Sequence, residues 1–221
     1  MPVAERNHWL ADIVAVLKKH WPDNKSVNIV CHGHSVPAGY FATPFVDTFN
    51  AYPHLLQQGL KHRFPYAVVN VVVTAVGGEN SAQGAARFER DALNHRPDVL
   101  TIDYGLNDRR LGLEKAEAAW RSMIEKAKAQ SVKVLLLTPT ADVTQRPGAP
   151  ETERGELRQH AEQIRRLAAE HEVGLADSLA AFDHYMECGG DLSDLLSWSN
   201  HPNRRGHELV AEELLRWFPA Y

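Results

Sequence analysis

Short segments that are apolar on both faces recur along this chain, and they limit its fold more than any other feature. Four are clear and rich in β-branched residues, at residues 27–31, 67–73, 98–103 and 132–137, and a weaker fifth lies at residues 173–176. Strands without a polar face belong to parallel sheets that helices cover on both sides. The sequence therefore predicts strands buried in the middle of the molecule.

Amphipathic helical stretches separate these segments. They are predicted at residues 46–63, 82–94, 113–130, 153–171 and 204–218, and a further one covers residues 1–21. Alternation of strands with helices is typical of an α/β fold, here a three-layer α/β/α sandwich with a parallel sheet of about five strands. No internal repeat or long linker divides the sequence, so we expect a single domain over residues 1–221.

Composition and charge exclude several classes of protein. The 221 residues are 44% hydrophobic and 24% charged, a balance that favours a globular chain over a disordered one. The net charge is −4 and the basic residues are scattered, so no nucleic-acid partner is expected. The longest apolar runs, such as residues 134–137, are far shorter than the ~20 residues of a membrane span, so no membrane association is expected. Without a secretory signal, and with only Cys31 and Cys188 as thiols, a cytoplasmic location is expected.

Small and polar residues follow the predicted strands directly. Ser35 comes after the first strand, Gly78 after the second and Asn107 after the third, and His201 lies in the last loop. In an open α/β sheet, ligands bind beyond the carboxyl ends of the strands. These four residues are therefore expected to meet at one edge of the sheet. The loop over residues 142–155 follows the fourth strand and is expected to shape access to that edge.

The order of these motifs resembles that of the SGNH (GDSL-type) hydrolases, a family of esterases and acetyl-esterases. The matching elements are Gly33-His34-Ser35 for the GDS motif, Gly78 for the oxyanion glycine, Gly105-Leu106-Asn107-Asp108 for the GxND motif, and His201-Pro202 with Gly206-His207 for the closing motif. The resemblance spans nearly the whole chain. It implies the flavodoxin-like SGNH hydrolase fold and a carboxylic ester hydrolase.

Each matching residue has a chemical role to fill. Ester hydrolysis needs a nucleophile, a base within hydrogen-bond reach and donors for the developing negative charge. Ser35 is the expected nucleophile, and His201 is the expected base because imidazole titrates near neutral pH. The Ser35 and Gly78 N–H groups and the Asn107 side chain form the expected oxyanion hole. The expected substrate is a small-molecule ester of a small acyl group, acetyl for example, on an alcohol or a sugar, and neither a metal nor a cofactor is expected.

Two positions depart from the family pattern. His34 stands in place of the aspartate before the serine, and Trp198 stands three residues before His201, in place of the triad aspartate. An indole carries only an N–H donor, so it cannot accept the Nδ1–H of a histidine. Asp194 could serve only if the chain folds back. We therefore expect a Ser35–His201 dyad with a backbone carbonyl near Trp198 orienting the ring, and an unusual triad is the alternative.

Other functions fit the sequence less well. An α/β-hydrolase would carry a GxSxG elbow late in its sheet, whereas Ser35 follows the first strand within GHSVP. No glycine-rich nucleotide-binding motif follows any strand. Consecutive residues of a strand face opposite sides, so the histidines around residues 31–34 do not favour a metal site. A catalytically degenerate ligand-binding domain stays open because of His34 and Trp198, and the helical surfaces would allow a homo-oligomer.

Overall fold

A five-stranded parallel sheet forms the centre of the protein in a computed structural model that describes residues 4–220. The strands run in the order β2-β1-β3-β4-β5 across the sheet. They are β1 (Ser26–Gly33), β2 (Val68–Val73), β3 (Val99–Asp103), β4 (Lys133–Leu137) and β5 (Gly174–Ala176). Each strand boundary lies within two residues of its predicted position, and the predicted fold class is confirmed.

Helices cover both faces of the sheet. Within residues 4–220 they are α1 (Arg6–Trp9), α2 (Ala11–Leu17), α3 (Ser35–Ala38), α4 (Tyr52–Arg63), α5 (Ser81–Asp91), α6 (Gly105–Asp108), α7 (Leu113–Ala129), α8 (Glu151–His171), α9 (Ser178–Glu187) and α10 (Arg204–Leu215). None of these described helices is both long enough and apolar enough to cross a membrane.

The main corrections to the helix predictions concern the first segment, the start of α4, and α9. The segment over residues 1–21 contains two short helices, α1 and α2, that meet at Leu10, and residues 1–3 lie outside the described part of the chain. The helix predicted from residue 46 begins only at Tyr52, because a 3₁₀ turn precedes it and Pro53 sits in its first turn, where a missing N–H costs nothing. Helix α9 was not predicted, although Asp177 caps it by accepting the Ala180 N–H.

Successive side chains of each strand point to opposite faces of the sheet, so the strands contribute to two hydrophobic cores. In β1, Ile29 and Cys31 face one core and Val30 faces the other. The first core is closed mainly by α2, α4, α9 and α10, and the second mainly by α7 and α8, with Phe88 from α5. Since both faces are covered, the carboxyl edge of the sheet remains for a ligand. The register of β1 against β3 pairs Gly33 with Asp103, which sets the first and third loops side by side at that edge.

Candidate active site

Ser35 lies at the first position of the short helix α3, two residues beyond the end of β1. The turn that carries it is tight, because a Cβ atom on Gly33 would lie 2.5 Å from the backbone oxygen of Asp103. Only glycine allows the two backbones to approach this closely. The hydroxyl of Ser35 is therefore held at the carboxyl edge of the sheet, where the sequence predicted it.

His201 reaches Ser35 from the loop that precedes α10. Its Nε2 atom lies 3.0 Å from Ser35 Oγ, and its Nδ1 atom lies 2.8 Å from the backbone oxygen of Phe41. A carbonyl oxygen can only accept, so the Phe41 contact requires the proton on Nδ1. The lone pair of Nε2 then faces Ser35 and can accept the hydroxyl proton, which is the orientation that a general base needs.

The predicted position of the orienting carbonyl was wrong. It belongs to Phe41, because the chain after α3 folds back over the site, where the Phe41 N–H donates to Phe45 and Tyr40 bridges to Val46. The carboxylate of Asp194 instead accepts from the Tyr185 hydroxyl at 2.9 Å. Within residues 4–220, no carboxylate contacts the Nδ1 of His201.

His207, from the closing motif, packs against Phe41, the residue whose carbonyl contacts His201. Its ring packs against the ring of Phe41 with centroids 5.2 Å apart, and its Nδ1 accepts the backbone N–H of Tyr52 at 3.2 Å. Burial lowers the pKa of His207 to about 3, so this ring is a neutral packing element. The motif histidine thus acts on the site through Phe41 rather than by direct contact with Ser35.

The three residues predicted to bind an oxyanion, Ser35, Gly78 and Asn107, line the same pocket. The backbone N–H groups of Ser35 and Gly78 have no hydrogen-bond acceptor within the described residues. Gly78 has a φ of 82°, in the left-handed region, and a Cβ there would point into open space. One amide hydrogen of Asn107 goes to the backbone oxygen of Glu79 at 2.8 Å, which fixes the side chain and leaves its second hydrogen free.

Electrostatics favour a neutral His201. Burial is the largest influence and lowers the pKa of this imidazole; the hydrogen bond to Phe41 opposes it, and nearby His34 adds to the lowering. A base with a lowered pKa is unprotonated at neutral pH and ready to accept a proton. The environment of His201 therefore suits the role that the sequence predicted for it.

Asp108 is a buried carboxylate for which the sequence predicted no role of its own. One carboxylate oxygen accepts the Ser81 N–H at 2.8 Å and the other accepts the Trp120 indole N–H at 2.7 Å. Burial raises the pKa of Asp108, and these two hydrogen bonds act against that effect. Asp108 thereby ties α5, α6 and α7 together next to Asn107. Its place in the GxND motif was the available signal.

A pocket of about 360 Å³ joins the predicted residues. Its lining contains Ser35, Gly78, Asn107 and His201, together with Tyr40, Thr43, Gly77, Arg110, Trp198 and Asn200. Arg110 is the only arginine or lysine in this lining, and no carboxylate is present, so the pocket does not favour a cationic substrate. No residue of the 142–155 loop lines the pocket, although Val143 donates to the Ser199 oxygen at 2.9 Å and so braces the segment beside Trp198.

The histidines near the end of β1 are committed to separate partners. His32 contacts the Thr74 hydroxyl at 2.9 Å and the Gly84 oxygen at 3.2 Å, whereas His34 faces Ser35 and Asp103. Within residues 4–220, no group of three His, Cys, Asp or Glu side chains is arranged to hold a metal ion.

Comparison with known proteins decides the family. Residues 31–209 match the GDSL-like lipase/acylhydrolase family. The chain belongs to this family. It is accordingly a carboxylic ester hydrolase, and the expected resemblance is confirmed.

The proteins it resembles include two named esterases and a solved structure. The chain is 24% identical to an acetylxylan esterase of Geobacillus stearothermophilus over 166 residues, 69% of this chain and 74% of that protein. It is 35% identical to esterase TesA of Pseudomonas aeruginosa over 95 residues, 42% of this chain and 46% of that protein. A crystal structure of a catalytic mutant of the Geobacillus acetylxylan esterase Axe2 superposes with a TM-score of 0.76 at 21% identity, covering 91% of this chain and 96% of that one. This likeness is one of fold.

Proposed function

We propose that this protein hydrolyses esters of small acyl groups, acetyl in particular, with Ser35 as nucleophile and His201 as its base. The main support for this proposal is the pair of contacts that the His201 ring makes, one to Phe41 O at 2.8 Å and one to Ser35 Oγ at 3.0 Å. The three groups are thus arranged like a catalytic triad, with Ser35 as nucleophile, His201 as base and the Phe41 backbone carbonyl in the place of the usual carboxylate.

The proposed reaction has two halves. Ser35 Oγ attacks the carbonyl carbon while His201 Nε2 takes its proton, and the negative oxygen accepts from the Ser35 and Gly78 N–H groups and from Asn107. The tetrahedral intermediate collapses, His201 returns the proton to the departing alcohol, and an acyl-serine remains. Water then attacks the acyl-serine with His201 as base, which releases the carboxylic acid and restores Ser35.

The pocket supports a small ester on a polar alcohol. Its volume of about 360 Å³ is at the lower end of small-molecule sites, where ~300–1,000 Å³ is usual. The Trp198 side chain is 59% exposed at the pocket, so its ring is available as a flat apolar surface for a sugar. An acetylated sugar is also the kind of substrate that the name of the acetylxylan esterase relative indicates.

Hydrolysis of p-nitrophenyl acetate tests the nucleophile. Wild-type turnover should fall to the background rate in Ser35→Ala, because the attacking oxygen is gone, and a serine-directed fluorophosphonate should label the wild type alone. Ser26→Ala is the matched control, since Ser26 is an exposed serine at the start of β1, and it should keep wild-type activity. Turnover that persists in Ser35→Ala refutes this nucleophile, and a wild type that neither turns over nor labels favours the degenerate binding domain.

The substrate class requires its own test. Initial rates on p-nitrophenyl acetate, butyrate and hexanoate should fall with chain length, and acetylated xylose should release acetate. Trp198→Ala should raise KM for the acetylated sugar and leave KM for p-nitrophenyl acetate nearly unchanged, because only the sugar can use the indole surface. An equal change in both KM values would contradict the proposal that the Trp198 ring binds the sugar.

A further inference from the structure

A buried imidazole and a buried carboxylate lie directly behind the proposed nucleophile. His34 is 1% exposed and Asp103 is 3% exposed, and His34 Nε2 lies 3.4 Å from Asp103 Oδ1. His34 is the only basic side chain within 4 Å of the Asp103 carboxylate among the described residues. A buried carboxylate without a partner is costly, so this contact has a reason to persist.

The other ring nitrogen of His34 holds the nucleophile turn. The Val36 N–H donates to His34 Nδ1 at 3.2 Å, and this bond caps the helix that begins at Ser35. A backbone N–H can only donate, so Nδ1 must carry a lone pair and Nε2 must carry the proton. That nitrogen lies 3.4 Å from Asp103 Oδ1; the pair does not have hydrogen-bond geometry, but the buried carboxylate attracts the positive end of the N–H dipole at this distance. The carboxylate therefore favours the tautomer of His34 that the cap requires.

This tautomer also decides where the Ser35 proton goes. Ser35 Oγ lies between two imidazole nitrogens, 3.0 Å from His201 Nε2 and 3.3 Å from His34 Nδ1. The lone pair of His34 Nδ1 is already used by the Val36 N–H, whereas that of His201 Nε2 is free. The hydroxyl therefore donates to His201. In the opposite tautomer, His34 would lose the Val36 bond and present an N–H to Ser35.

We propose that Asp103 and His34 form a positioning pair that replaces the aspartate before the family's serine, capping the nucleophile helix and directing the Ser35 hydroxyl to His201. The inference rests on the proposed function of Ser35. The family motif has a carboxylate adjacent to the serine. In this chain the carboxylate is that of Asp103 on β3, and it acts on the turn that carries Ser35 through the imidazole of His34. A backbone hydrogen bond also joins the two residues, because the backbone N–H of His34 donates to the backbone oxygen of Asp103 at 3.2 Å.

A conservative and a non-conservative substitution at Asp103 distinguish a role in positioning Ser35 from a role in the stability of the fold. Asp103→Asn keeps a polar oxygen beside His34 Nε2 and should retain kcat within about threefold, whereas Asp103→Leu removes that oxygen and should lower kcat at least about tenfold. Neither Asp103 nor His34 lines the pocket, so KM should stay close to its wild-type value in both variants. Equal kcat in Asp103→Leu and wild type would overturn the proposal, as would a loss confined to KM.

Restoring the family residue tests the pair directly. His34→Asp keeps a cap for Val36 but sets two buried carboxylates near each other, so kcat should fall at least about tenfold. His34→Asp with Asp103→Asn removes the repulsion and should recover most of that loss, a coupling that independent sites do not give. A double variant no more active than His34→Asp would refute the pairing.

Fold integrity and the proposed function are checked separately. Thermal unfolding is measured for every variant. If His34→Asp does not fold, His34→Asn with and without Asp103→Leu replaces it; under the pairing, Asp103→Leu should lower kcat less in the His34→Asn background than in the wild type, and an equal loss in both backgrounds would refute the pairing. Asp194→Asn is the control for loss of a carboxylate outside the site and should match the wild type. If Ser35→Ala shows wild-type turnover, the proposed function has failed; if turnover depends on Ser35 but not on the His34–Asp103 coupling, only the positioning pair has failed.

Discussion

Two histidines flank the hydroxyl of Ser35, and single backbone groups set their opposite tautomers. The Phe41 oxygen places a proton on Nδ1 of His201, and the Val36 N–H removes it from Nδ1 of His34. A backbone carbonyl carries only a partial charge, so it orients the base but stabilises an imidazolium less than an aspartate would. At the residue scale, the proposed base His201 is therefore oriented towards Ser35, but no carboxylate is present among the described residues to stabilise its protonated form.

The pH dependence of turnover should reflect this environment. Burial and the nearby His34 lower the pKa of His201, so its neutral, active form should persist below the usual imidazole value of about 6.5. The rate constant kcat/KM should therefore rise with pH through an apparent pKa under that value and level off by neutral pH. A pH profile on p-nitrophenyl acetate measures it, and an acid limb centred at or above pH ~6.5 would contradict the prediction.

A substitution of Asn107 tests the proposed oxyanion hole. The Asn107 side chain donates one N–H to the Glu79 oxygen, so Asn107→Ala should remove the second donor together with this hydrogen bond. We expect kcat to fall by roughly 10²–10³ with little change in KM, because the donor acts on charge that develops only in the transition state. Asn70→Ala, at an amide that bonds Asn28 on the sheet surface, is the control and should leave kcat unchanged. A large change in KM alone would show that Asn107 binds the ground state.

At the scale of elements, the sequence predicts what is local and misses what is not. Strand boundaries and the residues that follow each strand were predicted, because apolar runs and motif order are written in adjacent residues. The acceptor on His201 was not predictable, because every residue has a carbonyl and this contact joins residues 160 positions apart. Helix α9 was missed although Leu179 and Phe182, three residues apart, are its buried apolar contacts.

Asp108 shows how one buried side chain can hold several elements in place. Both of its oxygens accept hydrogen bonds, from α5 and from Trp120 on α7. Asp108→Asn would set an amide N–H₂ group against one of those donors, so it should lower the free energy of unfolding by ~1–3 kcal/mol. Urea unfolding measures this loss, with the exposed Asp23→Asn as control. An unchanged midpoint for Asp108→Asn would show that these two bonds do not stabilise the fold.

At the scale of the whole molecule, buried histidines link stability to pH. Burial lowers the pKa of His32 to about 4, with Arg87 adding to the effect, and lowers that of His207 to about 3. Both rings use a lone pair in the folded protein, His207 to accept the Tyr52 N–H and His32 beside the Thr74 hydroxyl. In the unfolded chain, the same groups bind a proton near pH 6.5.

The free energy of unfolding should therefore fall as the pH drops from about 6.5 towards 4, because the unfolded chain binds more protons than the folded protein in that window. Each histidine contributes at most ~1.4 kcal/mol per pH unit, and Asp108, whose pKa burial raises, acts in the opposite direction. Urea unfolding at pH 7 and at pH 5 measures the loss, which His207→Asn should reduce and the exposed His8→Gln should not. Equal stability at both pH values would mean that these imidazoles take up protons without unfolding, and the packing assigned to them would be wrong.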